Sequence, residues 1–282
     1  MFQRLSNSWS LVKASAAVLR ADKELMLFPA VSAVLSVVVL ITFAVPTFMA
    51  GLFDAAALRD SGFPLAGYVV GFLFYVVQYF VIFFCNTALV GAALIRLRGG
   101  DPTVADGFRL ASSRLVPILG YALIAATVGM ILRAISERSG WLGRLVVSVI
   151  GLAWNVATFL VVPVLAAEDI GPLEAVKKSS EYLRKTWGEQ IIGNVGMGSV
   201  FGLMSFGTVV VGVGLIIAAA MTQSAALIGI AIAALVLALM ALSLVSATLG
   251  GIYSAALYRY AAEGDAGAFF STSMVREAFR RK

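Results

Sequence analysis

Glu168 and Asp169 stand side by side ahead of Ile170-Gly171-Pro172. Two adjacent carboxylates could hold a divalent cation, because hard cations take oxygen ligands. The same residues open a helix, where the partial positive charge of the helix N-terminus favours acids without any metal. The chain has no histidine. That removes histidine acid/base chemistry and Ser-His-Asp hydrolysis, and it makes a zinc site remote. No carboxylate falls inside an apolar stretch, which argues against an intramembrane aspartyl protease and against proton relay through a buried Asp or Glu. Gly196-Met197-Gly198 lacks the third spaced glycine and the preceding strand of a dinucleotide loop. The remaining polar groups are amides: Gln78, Asn86, Asn155 and Asn194 lie inside or at the ends of apolar stretches. An unpaired amide in hydrocarbon is costly, so each must bond a neighbouring helix or a polar ligand in an internal cavity. A continuous polar cavity joining Asn86, Asn155 and Asn194 would mark a substrate path. No residue is assigned a catalytic, cofactor-binding or metal role, and the expectation is a protein that is not an enzyme.

The elements that carry these residues are set by composition. Of 282 residues, 61% are hydrophobic and 13% charged, against roughly 45–50% and 25% in a soluble globular chain. The excess predicts an all-α integral membrane protein of six transmembrane helices, forming a single membrane domain over residues 1–282. The spans are expected over about 28–51, 67–95, 115–132, 145–167, 191–220 and 225–258, each long enough at about 1.5 Å per residue to cross about 30 Å of hydrocarbon. The charge-free run from Gln190 to Tyr258 exceeds one crossing and is divided at Thr222-Gln223-Ser224. Pro46 is expected to kink the first span. Asp101 is expected to cap the helix after Gly99-Gly100, with Pro102 in its first turn. Arg133, Glu137, Arg138 and Arg144 are assigned to the connector between the third and fourth spans. Residues 259–282 form a basic tail. Cys85, the one cysteine, excludes an internal disulfide.

Charged stretches precede three of the spans. Val176-Lys177-Lys178-Ser179 through Leu183-Arg184 shares the pattern V-K-x-S-x-x-x-L-R with Val12-Lys13-Ala14-Ser15 through Leu19-Arg20, and Phe108-Arg109-Leu110-Ala111 is a weaker copy. Residues 1–27 are read as an amphipathic helix with Phe2, Leu5, Trp9, Val12, Ala16 and Leu19 on one face. The central copy places Leu173, Val176, Ser180, Leu183 and Trp187 on one face. Opposite lie the pairs Glu174–Lys178 and Glu181–Lys185 in the favourable i, i+4 order. Ala92-Ala93-Leu94-Ile95-Arg96 and Ala255-Ala256-Leu257-Tyr258-Arg259 also match. The unit is an interfacial helix followed by a helical hairpin, used three times in parallel. Gly198 and Gly202, spaced GxxxG, are expected at a close helix contact. Lys177, Lys178, Arg184 and Lys185 are expected to meet anionic lipid headgroups.

Six spans put both termini on one side. Of the 21 basic residues, only Arg59, Arg133, Arg138 and Arg144 fall on the other, so the termini are expected in the cytoplasm. The first apolar run exceeds the 7–15 residues of a signal h-region and is expected to be retained.

The layout resembles a family of uncharacterised bacterial six-span inner-membrane proteins, a domain of unknown function. The resemblance rests on Trp9-Ser10-Leu11-Val12-Lys13-Ala14-Ser15, Leu19 to Leu25, Phe28-Pro29 and Gly171 to Ser179. More distantly the chain is similar to the membrane domain attached to some bacterial glycerophosphodiester phosphodiesterases. The resemblance implies a fold and an inner-membrane location, but no activity. Two function classes follow. The first, favoured by the absence of intramembrane charge and of inverted repeats, is a structural, assembly or partner-binding protein without enzymatic activity. The other is a carrier for an uncharged or amphipathic substrate such as a lipid. The expected partners are the bilayer with its anionic lipids, and a membrane protein or a second copy of the chain; nucleic acid is not expected.

Overall fold

The computed structural model describes residues 2–49, 65–187, 197–271 and 275. The regular elements among these are all helices, with no strand. The helices are α1 (Phe2–Ala21), α2 (Leu27–Met49), α3 (Leu65–Leu97), α4 (Val104–Ser113), α5 (Leu115–Arg138), α6 (Trp141–Ala157), α7 (Val161–Ala167), α8 (Pro172–Trp187), α9 (Met197–Met221) and α10 (Ala225–Glu263). A 3-10 turn, Lys23–Met26, leads into α2. Among the described residues six stretches are long and apolar enough to cross a membrane: Lys23–Met49, Leu65–Leu97, Leu115–Arg138, Trp141–Ala167, Val200–Met221 and Ala225–Glu263.

The chain divides into two compact units, residues 27–92 with 102–185, and residues 1–26 with 93–101 and 186–282. In the second of these, α9 and α10 form a hairpin and α1 packs on both. The turn lies at Thr222–Ser224. Gln223 has a positive φ of 55°, and the Ser224 hydroxyl accepts from the Leu227 amide to start α10. Gly212 of α9 faces the Leu235 side chain of α10, and a Cβ there would overlap it. Gly198 and Gly202 were expected to make such a contact. Both are exposed, and a Cβ on either meets no described atom within 4 Å. Glycine recurs along α9, so GxxxG spacing alone does not select the face that meets α10.

In the other unit, α5 and α6 form a hairpin closed by Ser139-Gly140. The connector expected there is far shorter than the charge pattern suggested. α5 runs on to Arg138, so Arg133 and Glu137 are helical residues. α2 continues through Pro46 to Met49. The span over Trp141–Ala167 is interrupted instead, at Thr158–Leu160. Pro163 has no amide to offer the carbonyl four residues back, Phe159, and its ring crowds that carbonyl. Ser179 of α8 closes the gap. Its hydroxyl donates to the Ala157 carbonyl at 2.7 Å and accepts from the Leu160 amide at 3.0 Å. The helix after Gly99-Gly100 starts with Thr103 as its cap. Thr103 and Asp106 bond each other's backbone amides in a capping box, while Asp101 pairs with Arg96 instead.

The short charged helices bury only part of the face their large apolar residues suggest: Leu183 and Val12 are buried, but Leu173 and Trp9 are not. α8 buries Ala175, Ser179 and Leu183, and leaves Leu173 73% exposed. α1 buries Leu11, Ser15 and Val18, with Trp9 46% exposed and Lys13 over its ring. α4 buries Gly107 and Ala111. A Cβ on Gly107 would lie 2.5 Å from the Phe28 ring and 2.8 Å from the Ala88 carbonyl. Small residues, Ala175 and Ser179 in α8, Ala14 and Ser15 in α1, and Gly107 and Ala111 in α4, are buried among them.

Candidate functional site

Three helix faces converge on a partly open cavity of about 620 Å3. α2 contributes Leu40, Phe43, Ala44 and Thr47; α3 contributes Gly67, Val70, Gly71 and Phe74; α5 contributes Met130, Arg133, Ala134 and Glu137. Each set repeats at three- and four-residue spacing, which places it on one side of its helix. Phe43 and Phe74 meet edge to face at 5.7 Å. The Thr47 hydroxyl donates back to the Phe43 carbonyl. Gly71 leaves open space where a side chain would stand.

One corner is polar. Arg133 Nε donates to Glu137 Oε1 at 2.8 Å, and Arg133 Nη1 to the Tyr75 hydroxyl at 3.0 Å. Glu137 follows Arg133 by one turn on α5, so helical spacing alone holds the pair. Their side chains are 65% and 62% exposed. The volume lies within the usual range for small-molecule pockets, about 300–1,000 Å3. Apolar walls with one fixed ion pair suit an amphipathic molecule better than a fully polar solute.

The amides singled out from sequence do not line this cavity. Gln78, one turn beyond Tyr75 on α3, is half-buried, and its buried Oε1 has no partner among the described residues. Asn86 is half-buried on α3, and Asn155 is exposed on α6. Asn194 lies outside the described residues. Sequence reasoning missed Arg133 and Glu137 because it ended the third span at Leu132, and Tyr75 because nothing sets it apart from the other aromatic residues of the second span. The signal available was the spacing Met130, Arg133, Ala134, Glu137, which continues the helix for another turn.

Away from the cavity, the charged residues tie helix ends together. Within the unit that holds α1, Asp22 faces Arg96 at 3.6 Å, and Arg96 reaches Asp101 at 2.5 Å. Arg98 meets Glu263 at 2.5 Å. Arg259 bonds Glu263 and Asp265 and donates to the Leu97 carbonyl at the end of α3. Glu263 ends α10 before Gly264, whose φ of 75° closes the helix in the left-handed region. In the other unit Arg114 pairs with Asp169, and Glu168 accepts from both Lys178 and the Tyr182 hydroxyl. That bond holds the Lys178 ammonium above its ordinary range. Burial, reinforced by Glu168, pushes the Tyr182 phenol up. The acidic pair Glu168 and Asp169 therefore has cationic side chains as partners. Lys178 bonds Glu168 rather than Glu174, and Lys177 approaches Glu181 at 4.0 Å, so the pairing differs from the order expected on α8. Arg184 and Lys185 are exposed.

No curated protein matches the chain. A family model matches residues 65–269, which takes in α3 through α10 and the α3 and α5 walls of the cavity. The segment Gly171 to Ser179 falls inside this match; Trp9 to Pro29 precedes it. With most of its length covered by that model, the chain belongs to the family of unknown function DUF6159.

Proposed function

We propose that the protein binds an amphipathic, lipid-like molecule within the membrane and acts on it as a carrier without chemical conversion. The observation that supports this reading is the cavity, with apolar walls from α2, α3 and α5 and the Arg133–Glu137 pair at one corner. The setting is a bacterial inner membrane with both termini in the cytoplasm, supported by the basic bias of one set of loops. Distant kinship with the membrane domain of glycerophosphodiester phosphodiesterases fits a lipid-facing role and belongs to the same proposal. So does the threefold repeat, which draws support from Ser15, Ala111 and Ser179. They hold the same place in the three copies, and all are 0% exposed.

A second reading is a structural, assembly or partner-binding protein without enzymatic activity. It is favoured by the ion pairs that fasten the ends of α3 and α10, which suit a rigid frame. Purification in mild detergent, followed by mass spectrometry of what co-purifies, separates the two. A lipid retained in near-equal molar amount supports the carrier reading. A stoichiometric membrane-protein partner with no retained lipid replaces it by the second.

A further inference from the structure

We infer that the cavity takes one acyl chain of a phospholipid whose headgroup carries both a phosphate and an ammonium, with Arg133 reading the phosphate and Glu137 the ammonium. This rests on the lipid reading above and adds the headgroup. Several observations lead to it. The α5 wall runs from Met130 to Glu137, about 10 Å at 1.5 Å per residue, roughly a third of the hydrocarbon thickness. That depth suits part of one chain within one leaflet. The polar corner lies near the C-terminal end of α5, which closes at Arg138. Trp141, 73% exposed, follows in the next turn, and tryptophan favours the membrane–water interface. The ion pair is thus at headgroup depth, and its two side chains are more than half exposed.

The donor arithmetic then selects the headgroup. Among the described residues Arg133 uses Nε for Glu137 and Nη1 for Tyr75. Its Nη2 donors remain for a phosphate, a geometry guanidinium groups favour. Glu137 accepts from Arg133 through Oε1, which leaves Oε2 for an ammonium. A headgroup with a phosphate alone would satisfy Arg133 and be repelled by Glu137. A headgroup with both charges satisfies both. Tyr75 is a positioning residue: its hydroxyl fixes the guanidinium plane from α3.

The test uses the full chain in mild detergent, titrated with phosphatidylethanolamine, phosphatidylglycerol and diacylglycerol of identical acyl chains, with retention read by native mass spectrometry. The expected result is roughly tenfold tighter retention of phosphatidylethanolamine than of the other two, a difference of the size of a charge-assisted hydrogen bond. Phosphoethanolamine without chains is expected not to displace it. R133Q and E137Q should each erase the preference. G71L adds a side chain where the structure has open space and should weaken all three lipids together. Equal retention of the three lipids by the unaltered protein overturns the headgroup assignment, and needs no variant to fold. If G71L still weakens retention in that case, the amphiphile reading stands alone. If no lipid is retained, or G71L changes nothing, the cavity is not a lipid site and both readings fall.

Discussion

Two carboxylates show how differently one residue type is treated in this chain. Burial pushes the Asp22 carboxyl up, with Arg96 pulling it back. Asp106 is held below the ordinary carboxylate value by the bonds it accepts from the Thr103 hydroxyl and amide. The consequences for stability have opposite signs. The folded state binds the Asp22 proton more tightly than the unfolded chain does. Stability from that group therefore rises as pH falls from neutrality through its raised value towards 3.8. The Asp106 contribution is present above 3.8 and is lost as pH falls through its lowered folded value. Thermal unfolding of the purified protein between pH 3 and 7 should show this. Relative to D22N, the parent should gain stability on acidification; relative to D106N, it should lose it below about pH 4. Identical profiles for the parent and both variants would contradict these assignments. Neither environment was legible in the sequence. Asp106 sits at the third helical position after Thr103, a capping box in plain view, but the proline at 102 drew the cap to Asp101. Asp22 looks like any acid in a charged segment until α1 and the end of α3 are brought together.

Among the elements, the existence of the apolar helices was readable from composition and run length alone. Which face each short helix buries was not. Large apolar residues suggested Leu173 and Trp9, which are exposed, while the small residues Ala175 and Ser179 in α8 and Ala14 and Ser15 in α1 are buried beside Leu183 and Leu11. Close backbone approach favours small side chains, and a hydropathy pattern gives them little weight. The two serines can be separated by experiment. Ser179 bonds the Ala157 carbonyl and the Leu160 amide. Ser15 Oγ is buried with no hydrogen-bond partner among the described residues. S179A should therefore cost about 1–3 kcal/mol, since it strands the buried Leu160 amide and the part-buried Ala157 carbonyl. S15A removes a hydroxyl that makes no bond and should be neutral or stabilising. Thermal unfolding in detergent decides, and equal losses would mean that Ser15 has a partner too. The interruption at Thr158–Leu160 was legible only in part. Pro163 was visible, but so was Pro46, and α2 continues through it.

At the scale of the whole molecule, the firmest expectation is sidedness. With the ends of the spans fixed by the helices, Ser139 and Ser224 lie in the α5–α6 and α9–α10 turns, and Ser112 lies exposed on α4. In a C85A background, single cysteines at 139 and 224 should react with an impermeant thiol reagent added to intact cells. A cysteine at 112 should react only after lysis. Labelling of 112 from outside would invert the topology and place the basic loops outside. The cavity was the least legible feature, because it depends on how three helix faces meet rather than on any motif. The interruption of the fourth span also bears on how the protein is made. The serine that completes it is on α8, 22 residues after the carbonyl it bonds. During synthesis, the α5–α6 hairpin leaves the ribosome before Ser179 does. Until α8 emerges and docks, Ala157 and Leu160 lack the partner they have in the finished fold. The hairpin has reason to wait in a wetter setting, so that the order of synthesis becomes an order of burial.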